Sequence, residues 1–231
     1  MEFEESLRAV QRLVSQNELT AADSALKELL QVQPQHVEAL FVKAVIKRLM
    51  NQPVVALQTL SFLHDINPQH SRAHQEVGHL RMINRELKPA IESYERAVEL
   101  DPALISSWTA LTGLYGMDKN LAGAQKAKVH TERLKALPQE LLNVSSLINE
   151  KRLDKAEPLC RQFLLRDPTN VEAMRLLASI GMELGVTDDA EHLLEKTLEF
   201  DPGFHIGRFD YVGVLQKRQK FEAAFSNAAH L

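Results

Sequence analysis

Cys160 is the one cysteine among 231 residues, and a lone cysteine in an intracellular protein is a candidate nucleophile. The working species would be the thiolate. Near the unperturbed pKa of ~8.5 only a few per cent is ionised at pH 7, unless a cation or a helix N-terminus lowers the pKa. Arg161 is adjacent, but on a helix consecutive side chains point apart. His70, His74 and His79 form the densest histidine group. His70 and His74, four residues apart, can share a helix face as zinc ligands do, yet no glutamate completes an H-E-x-x-H pattern. Asp188-Asp189 and Glu4-Glu5 pair carboxylates as general acid–base chemistry requires; at helix starts such pairs also complement the helix dipole. No Ser/His/Asp arrangement is readable. GLYGMDKN, residues 113–120, lacks the Gly-Lys-Ser/Thr ending of a phosphate-binding loop.

Lys+Arg number 27 against 31 Asp+Glu, a formal net charge of −4, which leaves no basic footprint for nucleic acid. No apolar run approaches the roughly 18 residues of a membrane span. The opening MEFEESLRAV lacks the basic and apolar regions of a signal peptide. A single cysteine cannot form an internal disulfide, which points to the reducing cytoplasm. Glycine and proline, nine each, are sparse, and the composition leans to helix.

The elements that would position these residues follow a fixed beat. Pro34, Pro68 and Pro102 are 34 apart, as are Pro168 and Pro202. Ala22, Ala56, Ala90 and Ala124 step by 34, and so do Ala156, Ala190 and Ala224, with one step of 32 between the two runs. This is the period of the tetratricopeptide repeat, a helix–turn–helix unit. In LKPAIESYERAVELDP (87–102), Leu87, Ala90, Ile91, Tyr94, Ala97, Val98 and Leu100 lie on one helical stripe. Asp101-Pro102 then stops the helix. WTALTGLYG (108–116) resembles the repeat's W-x2-L-G-x2-Y, with Thr112 in place of the glycine. Ala44, Gly78, Thr112 and Ala178 recur where paired helices must approach closely. One helix pair cannot bury its own apolar face, so such units must stack.

The expected fold is therefore all-α: a right-handed superhelical solenoid of about seven helix pairs, beginning near residues 3, 37, 71, 105, 137, 171 and 205. Units 1–4 occupy residues 1–136 and units 5–7 residues 137–231. Lys128 and Thr131 stand in the fourth unit where relatives carry Leu60 and Leu63, so a seam is expected near 125–140. The seventh unit reads as incomplete, ending at FEAAFSNAAHL. On this beat Cys160 sits four residues after Ala156, the core register of Leu26, Leu60, Tyr94 and Leu194, which reads as packing. His70 falls in an inter-unit turn, His74 takes the slot of Trp108, and His205 opens a first helix.

Residues 137–225 carry further phrases: AEPLCRQFL, VEAMRLLASIG, DDAEHLLE and FHIGRFDYV. They resemble the repeat region of bacterial tetratricopeptide-repeat sulfotransferases; residues 1–136 match only the general repeat pattern. The resemblance implies a parent protein whose C-terminal domain transfers sulfate from the nucleotide donor PAPS. None of that domain is in this sequence, so the chain itself is expected to be no enzyme and to need no cofactor.

First helices of such a stack line its inner surface. The inner-face positions collect Phe41, Arg48, Gln75, His79, Met82, Thr109, Met117, Arg175, Met182 and Phe209. Methionine adapts its shape and arginine pairs with acidic groups, so this lining suits a peptide or a protein partner. The Lys and Asn that clamp acidic chaperone tails are absent: the fifth and ninth positions hold Leu7/Gln11, Phe41/Val45 and Gln75/His79. The leading expectation is a non-catalytic protein-binding scaffold. Two alternatives stand beside it: self-assembly through the terminal repeat, and an enzyme using Cys160 or the 70/74/79 histidines.

Overall fold

The computed structural model describes residues 2–231, and all regular structure among them is helical. Seven helix pairs follow one another: α1 (Glu2–Ser15) with α2 (Leu19–Val32), α3 (Val37–Leu49) with α4 (Pro53–Ile66), α5 (Ser71–Ile83) with α6 (Leu87–Leu100), and α7 (Ile105–Met117) with α8 (Leu121–Lys135). Then come α9 (Gln139–Asn149) with α10 (Leu153–Arg166), α11 (Val171–Leu184) with α12 (Thr187–Phe200), and α13 (His205–Lys217) with α14 (Phe221–Ala228). Each first helix begins within two residues of the place the 34-residue beat predicts.

The turn inside each pair is built the same way seven times. Asn17, Asn51, Arg85, Lys119, Lys151, Gly185 and Gln219 all have positive φ, between 57° and 81°. The next residue's N–H reaches back five residues to a carbonyl, as Glu18 does to Leu13 and Val186 to Gly181. The positive-φ residue itself bonds back three residues. This is the Schellman termination, which satisfies the last carbonyls of a helix and asks for a left-handed residue. Between pairs, side chains cap the next helix. His36, His70 and Asn170 accept from the backbone N–H three residues on, at 3.2, 3.1 and 3.0 Å.

The contacts divide the chain into two compact units, residues 1–132 and 133–231. In the N-terminal unit one core runs from Leu7 and Val10 of α1 to Ala73 and Leu80 of α5. A second joins α6 and α7 to Ala127 of α8. In the C-terminal unit Leu141, Val144, Cys160, Leu176 and Ile180 hold α9, α10 and α11 together. Ala178, Ala190, Leu194 and Val214 continue that packing to α13. The ladder alanines mark the closest helix approaches, and Ala22, Ala56, Ala90, Ala156 and Ala190 are fully buried. Gly78 does the same work on α5: a Cβ there would lie 2.9 Å from the Tyr94 ring.

The ladder breaks once. Ala124 is half-exposed and Lys128 exposed, while Ala127 and Thr131, which match the buried Thr59 and Leu63 of α4, stay buried with Leu134. Lys128 stands where α4 buries Leu60; buried without a partner it would be costly, and exposed it ion-pairs with Glu132 at 3.7 Å.

Candidate partner-binding face

The first helices carry the side chains expected to meet a partner, and the structure sorts them into engaged and open. In the N-terminal unit Phe41 is buried on α3, with the Arg72 guanidinium 4.2 Å over its ring and His70 beside it. Arg48 donates to the buried Glu76 carboxylate of α5 from Nε at 2.5 Å and from Nη2 at 3.3 Å. Gln75 accepts from the Ser107 hydroxyl of α7 at 2.9 Å. The Tyr94 hydroxyl lies 2.6 Å from His79 Nδ1 and 3.3 Å from the Met82 sulfur. Burial is the first cause holding His79 below the usual histidine range; Glu76 opposes it and Arg48 adds to it. Burial also raises the Tyr94 phenol above its ordinary range. The side chains left open are Met82, Thr109 and Met117, the last 72% exposed.

The C-terminal unit shows the same division. Arg175 donates to Glu172 at 2.7 Å and to Asp210 of α13 at 2.9 Å. Arg133, at the end of α8, adds a second guanidinium on Glu172 at 3.1 and 3.2 Å. Burial alone would raise the Glu172 carboxyl, but Arg175 and Arg133 outweigh it and hold it below the usual range. Met182 packs half-buried beside Val214 and Tyr211. Phe209 stands open, 68% exposed.

The residues singled out for catalysis are occupied otherwise. Cys160 is fully buried, and its thiol donates to the Ala173 carbonyl at 3.2 Å. Burial pushes its pKa up to about 11, with Arg161 pulling weakly the other way. The three histidines do not converge. His70 caps α5, His74 Nε2 meets the Pro68 carbonyl at 3.0 Å, and His79 faces Tyr94. Among the described residues no group of three His, Cys, Asp or Glu side chains could hold a metal. Asp188 and Glu191 both ion-pair with Arg218, and Glu191 also with Lys220 at 2.7 Å.

Sequence reasoning missed the groups that lock this face: Glu76, Tyr94, Arg133, Glu172 and Asp210. A signal existed. The complementary partners lie about one repeat apart in sequence, with separations of 28 for Arg48–Glu76, 35 for Arg175–Asp210 and 32 for Gln75–Ser107.

Helix pairs joined by the same turn seven times define a helical-repeat fold, and the comparisons agree. Two tetratricopeptide-repeat models match, at residues 147–224 and 71–104. Among solved structures the chain is similar to pilF of Pseudomonas aeruginosa, with 16% identity, 96% of each chain covered and a TM-score of 0.53. It is also similar to a tetratricopeptide repeat protein from Parabacteroides merdae, with 14% identity, 97% of this chain and 90% of that chain covered, and a TM-score of 0.50. A chain of the Naa15/Naa10 assembly bound to HypK-THB aligns with 98% of this chain at 20% identity and a TM-score of 0.53; the alignment spans 36% of that longer chain. At such identities the likeness is one of fold. Comparison with curated proteins finds no match. The chain has the all-α fold of tetratricopeptide-repeat solenoids, and the repeat itself is matched at residues 71–104 and 147–224. Among the described residues no helix is long and apolar enough to cross a membrane.

Proposed function

We propose that the chain is a non-catalytic scaffold that holds a polypeptide against the open side chains of its first helices. One observation carries this reading. On α3, α5, α7, α11 and α13 the polar neighbours are tied to one another, while Met82, Thr109, Met117 and Phe209 are left facing solvent. A pre-ordered backbone adds no backbone ordering cost on binding, and the methionines adapt their shape to the partner. Display selection of peptides against the chain, followed by titration, tests it. Met117→Ala combined with Met82→Ala, or Phe209→Ala, weakens the selected peptide by roughly tenfold. Leu165→Ala, an exposed apolar residue of the second helix α10, leaves it unchanged. The opposite pattern removes the reading.

A second reading has its own observation. Phe221 and Phe225 of α14 are 65% and 81% exposed, an apolar pair that self-association would cover. Light scattering over a concentration series supports it if mass doubles and Phe225→Ser abolishes the doubling; a monomer throughout removes it. The phrases of residues 137–225 also support a bacterial parent protein with a PAPS-dependent sulfotransferase domain, and the single cysteine supports a cytoplasmic setting. The gene beyond Leu231 tests that: a PAPS-binding domain supports it and an unrelated sequence removes it.

A further inference from the structure

An open cleft of about 480 Å³ lies between α4, α5 and α6 of the N-terminal unit, and none of the first-helix row lines it. Its apolar lining includes Leu57, Leu60 and Val77. Its charged and titratable lining is two guanidiniums, Arg81 and Arg96, two imidazoles, His64 and His74, and one carboxylate, Glu92. Arg81 gives its Nη1 donor to neutral acceptors, the Pro89 carbonyl at 2.8 Å and the Ser93 hydroxyl at 2.9 Å. Arg96 pairs with Glu99 at the surface, at 3.0 Å. The His64 and His74 rings meet edge to face, 5.5 Å apart. Burial first, and then His64, Arg96 and Arg81, hold His74 below the usual range, against the Pro68 carbonyl that favours its proton. A carbonyl only accepts, so Nε2 of His74 carries the hydrogen there and a further proton enters at Nδ1.

The lining thus carries two guanidiniums against one carboxylate, with Glu99 outside it pairing Arg96 at the surface. We propose that the cleft is a small-molecule site for a phosphomonoester with an apolar body. The phosphoryl oxygens accept from Arg81 and Arg96, because a dianion with three strong acceptors suits two guanidiniums. The body lies on Leu57, Leu60 and Val77. The volume falls within the roughly 300–1,000 Å³ of small-ligand pockets. The bound dianion favours proton uptake at His74, which faces His64 from α4, Arg81 from its own helix, and Glu92 and Arg96 from α6.

Titration with phenyl phosphate, followed by calorimetry and by the histidine ring signals, tests this. Phenyl phosphate binds and raises the His74 titration midpoint, inorganic phosphate binds several-fold more weakly, and phenol does not bind. Arg96→Gln weakens phenyl phosphate and Glu92→Gln tightens it by about threefold, the size of one exposed charge interaction. Glu92→Gln matters because a merely misfolded variant cannot gain affinity. Met117→Ala changes nothing, which separates this site from the polypeptide face. Unmoved His64 and His74 signals, equal binding of inorganic and phenyl phosphate, or a Glu92→Gln variant no tighter than the parent would overturn the proposal.

Discussion

The Cys160 thiol donates to the Ala173 carbonyl from within the α9–α11 core, and with its pKa pushed up to about 11 roughly one thiol in ten thousand is ionised at pH 7. Alkylation of the native chain should therefore track unfolding, with labelling at pH 7 accelerating only across the denaturant transition. Rapid labelling of the folded chain would contradict the buried thiol. The histidines allow a second test. His74 and His79 are both held below the usual range, burial being the first cause in each. A depressed histidine pKa means that the unfolded chain takes up the proton first. The stability each contributes is full above about pH 6.5 and is lost as pH falls through the folded value. Glu172 is depressed as well, because Arg175 and Arg133 outweigh burial. Its contribution is full above about pH 4.5 and is lost as pH falls through its lower folded value. Denaturation midpoints should thus fall in two stages on acidification. His74→Gln with His79→Gln should flatten the first stage and leave the second.

At the scale of elements, the seven left-handed turn residues carry a prediction that contacts alone do not make. A non-glycine residue in the left-handed region costs ~1–2 kcal/mol, partly offset by the extra entropy glycine brings to the unfolded chain. A Cβ on Gly185 meets nothing within 4 Å, so Gly185→Ala isolates the backbone effect and should destabilise by roughly 1 kcal/mol. Arg85, exposed and at φ 63°, should do the reverse: Arg85→Gly stabilises by roughly 0.5–1 kcal/mol. Chemical denaturation of the two variants checks the pair, and matching signs would refute the assignment. The same turns show what was legible beforehand. Asn17, Asn51 and Gly185 announce a left-handed residue by type; Arg85, Lys119, Lys151 and Gln219 do so only by lying on the same beat. The break at α8 was half legible. Lys128 signalled that something must give, but only packing shows that Ala124 leaves the core while Ala127 and Thr131 stay in it.

For the whole molecule, the helix pairs were readable because prolines and small residues are backbone requirements, repeated wherever helices end or touch. Ala56 and Gly78 cannot be much larger where they stand, and their spacing gave the architecture. The candidate face was less readable because side chains choose among neighbours that a position number does not reveal. Phe41 turned into the core under Arg72, and Arg175 was taken by Glu172 and Asp210, while Met117 and Phe209 stayed open. The central claim is that a polypeptide binds open first-helix side chains, and methionine methyl spectra of the labelled chain test it most directly. On adding a display-selected peptide, the signals of Met82 or Met117 should move while Met50 and Met174 hold still. Movement confined to Met50 and Met174, or no movement at saturating peptide, would contradict it.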